Sequence, residues 1–439
     1  MSRSLEMYEE AKKYLVGGAT TSGKIHGALG RPVYLARSEG SHLYDVDGNA
    51  YVDYHLSAGP ILFGYKNPRI NKAVQEAMDM GAFLFYDGQP SIDLGRELCK
   101  IFPSAEKVRL VNTGTEATLS AIRMARAYTG KDIVIRCDGH YHGMSEVTWF
   151  NHGLYGEPDE IGEVKVVPDG AGIPEAYCSV NKVAPFNDYE AMERIVERYK
   201  GKVAAVILEP VCFNCGCIPA RKEYLQKLRE LCTREGIVLI FDEVICGYRM
   251  RPGSAQAYFG VTPDMTTVGK AIGGGYPIAA VLGKDEFMSM ASPVGKAGVS
   301  GTYSGNLVAI MAAIECAKMI QEPEFYDKID ETGNALFNGI NDLMQKNGIS
   351  GHLRGVGSRF AIFFGVENPE DSFDIRKVSK HYDWDTDAVF MRKMLEEGVY
   401  FHTYGRAPYP NHAGFGIAHS MEDINFTLEK ADKVFKSMK

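Results

Sequence analysis

The chain has 439 residues, with 56 acidic against 48 basic side chains and a formal net charge of −8. An acidic balance argues against a nucleic-acid binder, which shows a basic face, and no apolar run nears the roughly 18 residues of a membrane span. Apolar residues make up 45% and charged ones 24%, an ordinary globular composition able to bury a sizeable core.

The first residues, MSRSLEMYEEAKKYL, are charged and helical in pattern and lack the apolar stretch of a secretory signal. Nine scattered cysteines, an odd number, fit free thiols in a reducing compartment, so a cytoplasmic protein is expected. From His42 to Asp53 two alternating runs flank Asp47-Gly48-Asn49, the pattern of a hairpin. Asp45, Asp47 and Asn49 faintly resemble a calcium loop, but its glycine is misplaced and a turn is the better reading.

Between residues 70 and 320 helical and strand patterns alternate. Helices are predicted over 71–80, 91–101 and 116–129, and strands over 107–111, 133–136, 203–208, 238–241 and 278–282. This alternation predicts an α/β fold with a mostly parallel sheet, in which ligands bind at the carboxyl ends of strands. The final stretch reads as a smaller α+β unit. It has an amphipathic helix over 388–397 and a terminal helix opened by Ser420-Met421-Glu422-Asp423, a capping-box pattern.

The unusual residues fall after strands. Asn112-Thr113-Gly114-Thr115-Glu116-Ala117 is a small, hydroxyl-rich turn opening a helix, suited either to an anion or to plain capping. Tyr141-His142-Gly143 offers an aromatic face, or a plain core tyrosine. In Phe241-Asp242-Glu243-Val244, Asp242 should project over the strand end, suited to a positive ring nitrogen, and Glu243 the other way; a buried structural salt bridge is the alternative for the pair. Gly269-Lys270 precedes Gly273-Gly274-Gly275, and the P-loop pattern fails at Asp264 and Ala271. Ser300-Gly301-Thr302-Tyr303-Ser304-Gly305-Asn306 is a second turn suited to phosphate or to capping. Cys212, Cys215 and Cys217 lie within six residues, but no nearby Cys or His completes metal-site spacing, so no metal is expected.

Together these segments resemble the class III pyridoxal-phosphate aminotransferases of fold type I, nearest to their glutamate-1-semialdehyde aminomutase branch. NTGTEA, YHG, EP, FDEV, GKAIGGGYP and GTYSGN occur in the family's order, and the likeness runs from Tyr44 to Phe415. The resemblance implies a large cofactor domain over 70–322 and a smaller α+β domain built from 1–69 and 323–439. It implies pyridoxal 5'-phosphate in Schiff-base linkage to Lys270, with Asp242 on the pyridinium nitrogen, Val244 behind the ring and Tyr141 stacked on its other face. Gly114 and Thr115 would hold the phosphate, Asn214 and Glu209 would lie near the ring hydroxyl, and Thr302 would reach the phosphate of a second subunit. A homodimer with shared sites follows.

The likeness has departures. The aminomutase's pocket tryptophan is replaced by Ala58, which opens volume. Its substrate-carboxylate arginine aligns with Lys24, which lacks the bidentate fork. His412 stands where an acid is expected, and the preceding loop is longer and brings Arg406. His412 is read as a pocket hydrogen bonder or a structural histidine, and Arg406 as a carboxylate dock or a surface residue. The expected activity is a ping-pong aminotransferase. Its donor would be an amine or a β- or ω-amino compound, a β-aminoacyl thioester included, and its acceptor a 2-oxo acid. The aminomutase is the alternative, an amino-acid racemase a third possibility, and a cofactor-binding module without turnover the reading from another class.

Overall fold

The strands Val203–Leu208 and Val238–Glu243 are buried at every residue. Such strands must be covered on both faces, which dictates helices above and below the sheet that holds them. The computed structural model describes residues 2–438 and falls into two units. One takes the chain up to Asn67, Cys215–Cys217 and the chain from Asp327 onward; the other takes Pro68–Asn214 and Ile218–Tyr326.

The chain-end unit opens with β1 (Leu35–Glu39), β2 (His42–Asp45) and β3 (Ala50–Asp53), paired antiparallel. The expected hairpin joins β2 to β3. Asp45 closes its turn: one oxygen accepts from the backbone N–H groups of Asp47 and Asn49, the other from the Asn49 amide and the Tyr51 hydroxyl. The carboxylate that resembled a calcium ligand is thus saturated by its own loop.

The central unit contributes β4 (Lys107–Val111), β5 (Ile133–Cys137), β6 (Asn181–Ala184), β7 (Val203–Leu208), a small hairpin of β8 (Val211–Cys212) and β9 (Ile218–Pro219), then β10 (Val238–Glu243), β11 (Met265–Val268) and β12 (Ala279–Gly283). Seven of these form one sheet in the order β4-β12-β11-β10-β7-β5-β6. Only β12 runs against the others, pairing antiparallel with both β11 and β4. The carboxyl ends of the other six therefore share one edge. Helix Gly114–Thr129 begins two residues before its predicted start, because Thr113 accepts from the Glu116 N–H while the Glu116 carboxylate accepts from the Thr113 N–H. That helix packs Ala117, Ala121, Met124 and Ala125 into the core beside Val134, Ile207 and Ile240.

The chain returns to the first unit through helix Glu324–Asn347. There β13 (Gly351–Val356), β14 (Arg359–Phe364) and β16 (Ala413–Gly414) form one sheet, and β15 (Val399–Tyr400) adds in parallel to β3. The sequence reading leaves Cys215–Cys217 in the central segment. They group instead with the chain ends, where the Cys217 thiol donates to the Arg359 carbonyl at 3.8 Å. All nine cysteines are free, and burial pushes the Cys217 thiol up to about 12. Among the described residues no group of His, Cys, Asp and Glu is placed to hold a metal ion, and no helix is long and apolar enough to cross a membrane.

The last helix, Met421–Lys436, has the capping box its sequence announces, with the Ser420 hydroxyl accepting from Asp423 N–H and the Asp423 carboxylate from Ser420 N–H. Ser420→Ala should cost about 1 kcal/mol of unfolding free energy, read from urea midpoints; an unchanged midpoint would show that the helix end is held by packing alone.

Candidate active site

The shared edge of the central sheet gathers the residues singled out from sequence. Asp242 ends β10, Glu209 follows β7, Tyr141 and His142 follow β5, the 112–115 turn follows β4, and Lys270 follows β11. Parallel pairing sets Asp242 directly beside Thr267.

Asp242 is buried and its oxygens are shared among neutral donors. One accepts from the Thr267 hydroxyl at 3.0 Å and the Val244 N–H at 3.1 Å; the other lies 2.8 Å from His142 Nδ1. An ionised carboxylate only accepts, so Nδ1 carries the imidazole's hydrogen. Burial pushes the His142 pKa down, against the pull of Asp242. Its neutral ring therefore orients the carboxylate without cancelling its charge. Sequence reasoning quoted His142 without giving it a role; its place next to Tyr141 in the same motif was the available signal.

Glu209 accepts from the Tyr141 N–H at 2.8 Å and from the Asn214 amide at 3.2 Å. Burial, then the neighbouring Asp242, pushes its carboxyl up to about 8, with Lys270 acting in the opposite sense. Glu243 points away as expected, but it bonds the Ala255 N–H and the Gln256 amide rather than a cation.

The 112–115 turn is packed to the limit. A Cβ on Gly114 would lie 2.9 Å from Val244 Cγ1, and one on Gly143, at φ +92°, would lie 2.6 Å from Thr115 Oγ1. Only glycines admit this approach, which brings a helix N-terminus, with its unsatisfied N–H groups, beside Val244. Lys270 adopts φ +50°, a left-handed conformation that aims a non-glycine side chain at a cost. Thr302 lies exposed in the second phosphate-suited turn, whose Ser304 hydroxyl accepts from the Asn112 amide at 3.3 Å.

The other expected residues lie in the chain-end unit. Lys24 and Ala58 line one chamber of about 660 Å³, together with Asp53, His55, His402 and Tyr404. Leu56, Ser57 and Ala58 all have positive φ, at 56°, 54° and 64°, each costing roughly 1–2 kcal/mol. Asp53 pins this turn by accepting from His55 N–H, Leu56 N–H and the Tyr65 hydroxyl. Arg406 is exposed and does not line the chamber, nor does His412, whose Nδ1 lies 3.1 Å from an Arg359 guanidinium nitrogen. His55, His402 and Tyr404 were missed in sequence, although His402-Thr403-Tyr404 just past a strand has the alternation that puts two rings on one side.

Comparison with known proteins adds the family. The class-III aminotransferase sequence pattern matches residues 26–412. A glutamate-1-semialdehyde 2,1-aminomutase of Persephonella marina is 38% identical over 440 residues, covering 100% of this chain and 99% of the relative. One of Chlorobium luteolum is 40% identical over 402 residues, 91% of either chain. Among solved structures, an omega-transaminase from Sphaerobacter thermophilus superposes with a TM-score of 0.92 at 30% identity, covering 99% of this chain and 97% of that one.

The Glu209 shift makes a pH prediction. Its folded-state pKa is raised from 4.5 to about 8, so the folded chain keeps a proton that the unfolded chain gives up. The resulting stabilisation is full below pH 4.5 and is lost as pH rises through about 8. In the ligand-free chain, the urea midpoint should therefore fall across that window relative to Glu209→Gln. Parallel profiles would show that Glu209 ionises normally.

Proposed function

The chain belongs to the class-III aminotransferases, a pyridoxal-phosphate family, and from that we propose that it exchanges amino and oxo groups on small molecules. The relatives favour glutamate-1-semialdehyde 2,1-aminomutase as the specific activity. One observation carries this reading: identity of 38% along the entire chain and 99% of an aminomutase. The reaction would move an amino group between neighbouring carbons of a single molecule.

The central cluster fits the cofactor. The crowded helix N-terminus beside Gly114 and Thr115 suits a phosphate. Asp242, buried and bonded by His142, Thr267 and the Val244 N–H, would accept a protonated ring nitrogen. When bound, pyridoxal phosphate takes up the electron pair left when a C–H bond beside the substrate nitrogen breaks. The chain's own groups do the rest. Lys270 would be the point of covalent attachment, and its Nζ, as a neutral amine, would hold and move the proton lost from the substrate carbon. Asp242 keeps the ring nitrogen protonated, and His142 and Thr267 keep Asp242 in place. Tyr141 and Val244 would flank the ring, and Glu209 and Asn214 would serve its hydroxyl. Thr302 would reach the phosphate of a second subunit in a homodimer.

A second reading, transfer from an external amine or a β- or ω-amino compound to a 2-oxo acid, has its own observation. Ala58 and Lys24 line an open chamber where the resemblance leads one to expect tryptophan and arginine. Arg406, exposed and unpaired among the described residues, suits the oxo acid's carboxylate. The Arg359 contact of His412 favours its structural role.

Incubation with glutamate-1-semialdehyde alone, against an amine plus 2-oxoglutarate or pyruvate, decides between the two. Rapid formation of 5-aminolevulinate without response to external amines is expected from the first reading; slow isomerisation with donor-dependent loss of yellow colour would replace it by the second. Lys270→Ala should retain bound cofactor, lose the borohydride-fixed peptide adduct and slow turnover roughly 10³-fold or more. Asp242→Asn should weaken cofactor retention on dialysis and lose most of the rate. Normal turnover by Lys270→Ala would overturn the proposed mechanism.

A further inference from the structure

An arginine stands near the end of β5, one turn of loop away from His142. We propose that Arg136 is a positioning residue for His142: its guanidinium closes the loop that aims this imidazole at Asp242, and its charge keeps the imidazole neutral there. The inference rests on Asp242 meeting the ring nitrogen of the cofactor, as read above.

Burial comes first. Every residue of β5 is buried, and Arg136 is 2% exposed in the run Ile133-Val134-Ile135-Arg136-Cys137. An apolar side chain would fill such a position without stripping water from a charge. Burial pulls the Arg136 pKa down to about 10, so the guanidinium stays cationic at neutral pH.

The bonds of Arg136 show what the charge is set against. One Nη donates to the His140 carbonyl and the other to the Thr148 carbonyl. Those carbonyls bracket the segment that holds Tyr141 and His142, and one planar group ties them together. The middle of the loop has its own ties: the Thr118 hydroxyl donates to the His142 carbonyl at 2.7 Å, and the Met144 N–H donates to the Thr115 hydroxyl at 3.2 Å. Arg136 holds the two ends. The loop so fixed sets His142 Nδ1 at 2.8 Å from Asp242.

The far side of the ring gives the second observation. His142 Nε2 is buried and has no hydrogen-bond partner among the described residues. A bare nitrogen on a ring that touches a carboxylate is where a second proton would go. The charged and titratable groups around it are Asp242 on β10, Arg136 on β5 and His140 in the same loop, whose ring centre is 6.0 Å away; Glu209, after β7, holds the neighbouring Tyr141 N–H. Burial foremost, and the Arg136 charge with it, hold that proton off against the pull of Asp242. A charged His142 would compete with the ring nitrogen for one carboxylate.

The test compares holoenzyme carrying Arg136→Met or Arg136→Lys with the parent holoenzyme. Nitrogen NMR of the histidine side chains reads the charge of His142, whose signal is identified by its loss in His142→Gln. Arg136→Met removes both charge and fork. It should raise the pH at which His142 takes its second proton by about one pH unit or more, and shed pyridoxal phosphate on dialysis roughly tenfold more readily. Arg136→Lys keeps the charge and loses the fork. Its His142 should titrate as in the parent, while the Tyr141 and His142 amide hydrogens exchange roughly tenfold faster. An arginine that merely braces the fold would speed exchange in both variants and move the titration in neither, and that result would overturn the proposal. Where Arg136→Met fails to fold, Arg136→Lys still decides, because a raised His142 titration or unaltered exchange in it refutes the assignment. A parent chain that takes up no pyridoxal phosphate would refute the cofactor reading alone, with the His142 titration and the exchange rates still judging Arg136.

Discussion

Three residues from different elements converge on the buried carboxylate of Asp242, and much of the central unit is arranged to bring them there. Thr267 reaches it because β10 and β11 run parallel in register, His142 because the turn after β5 emerges on the same edge, and Val244 because the chain bends at once after the strand. The same buried charge forces its neighbour Glu209 toward its protonated form. Two acids at the carboxyl ends of adjacent strands thus lie within electrostatic reach of each other.

Much of this was legible in the sequence where one local rule sufficed. Unbroken apolar runs marked β7 and β10 as interior strands, and Thr113-Gly114-Thr115-Glu116 carried both its cap and its crowding. Six ordered motifs carried the family. What stayed hidden depends on partners distant in the chain. Nothing local says that Glu243 bonds Gln256, or that Cys217 meets Arg359. The reversed direction of β12 was also hidden, because a parallel and an antiparallel interior strand have the same apolar composition. The ring stack of His55 and His402 joins residues from opposite chain ends, beyond the reach of any periodicity.

The two units solve different problems with different materials. The central cluster is polar: His142 and Thr267 bond Asp242, and Tyr141 and Asn214 bond Glu209. The chamber of the chain-end unit is walled by rings and aliphatic carbons whose few polar atoms bond among themselves.

The reversed strand has a mechanical consequence for Lys270. The other site residues begin long crossovers that leave the sheet and return after a helix, so their loops can lengthen without disturbing the strands. Lys270 instead sits on the link between β11 and β12, neighbours in the sheet that are tied to each other on both sides of the link. That tether leaves the backbone at 270 little room to wander, so reach must come from the four-carbon arm alone. An insertion into this link would displace the amine itself, making it the segment of the edge least able to change length.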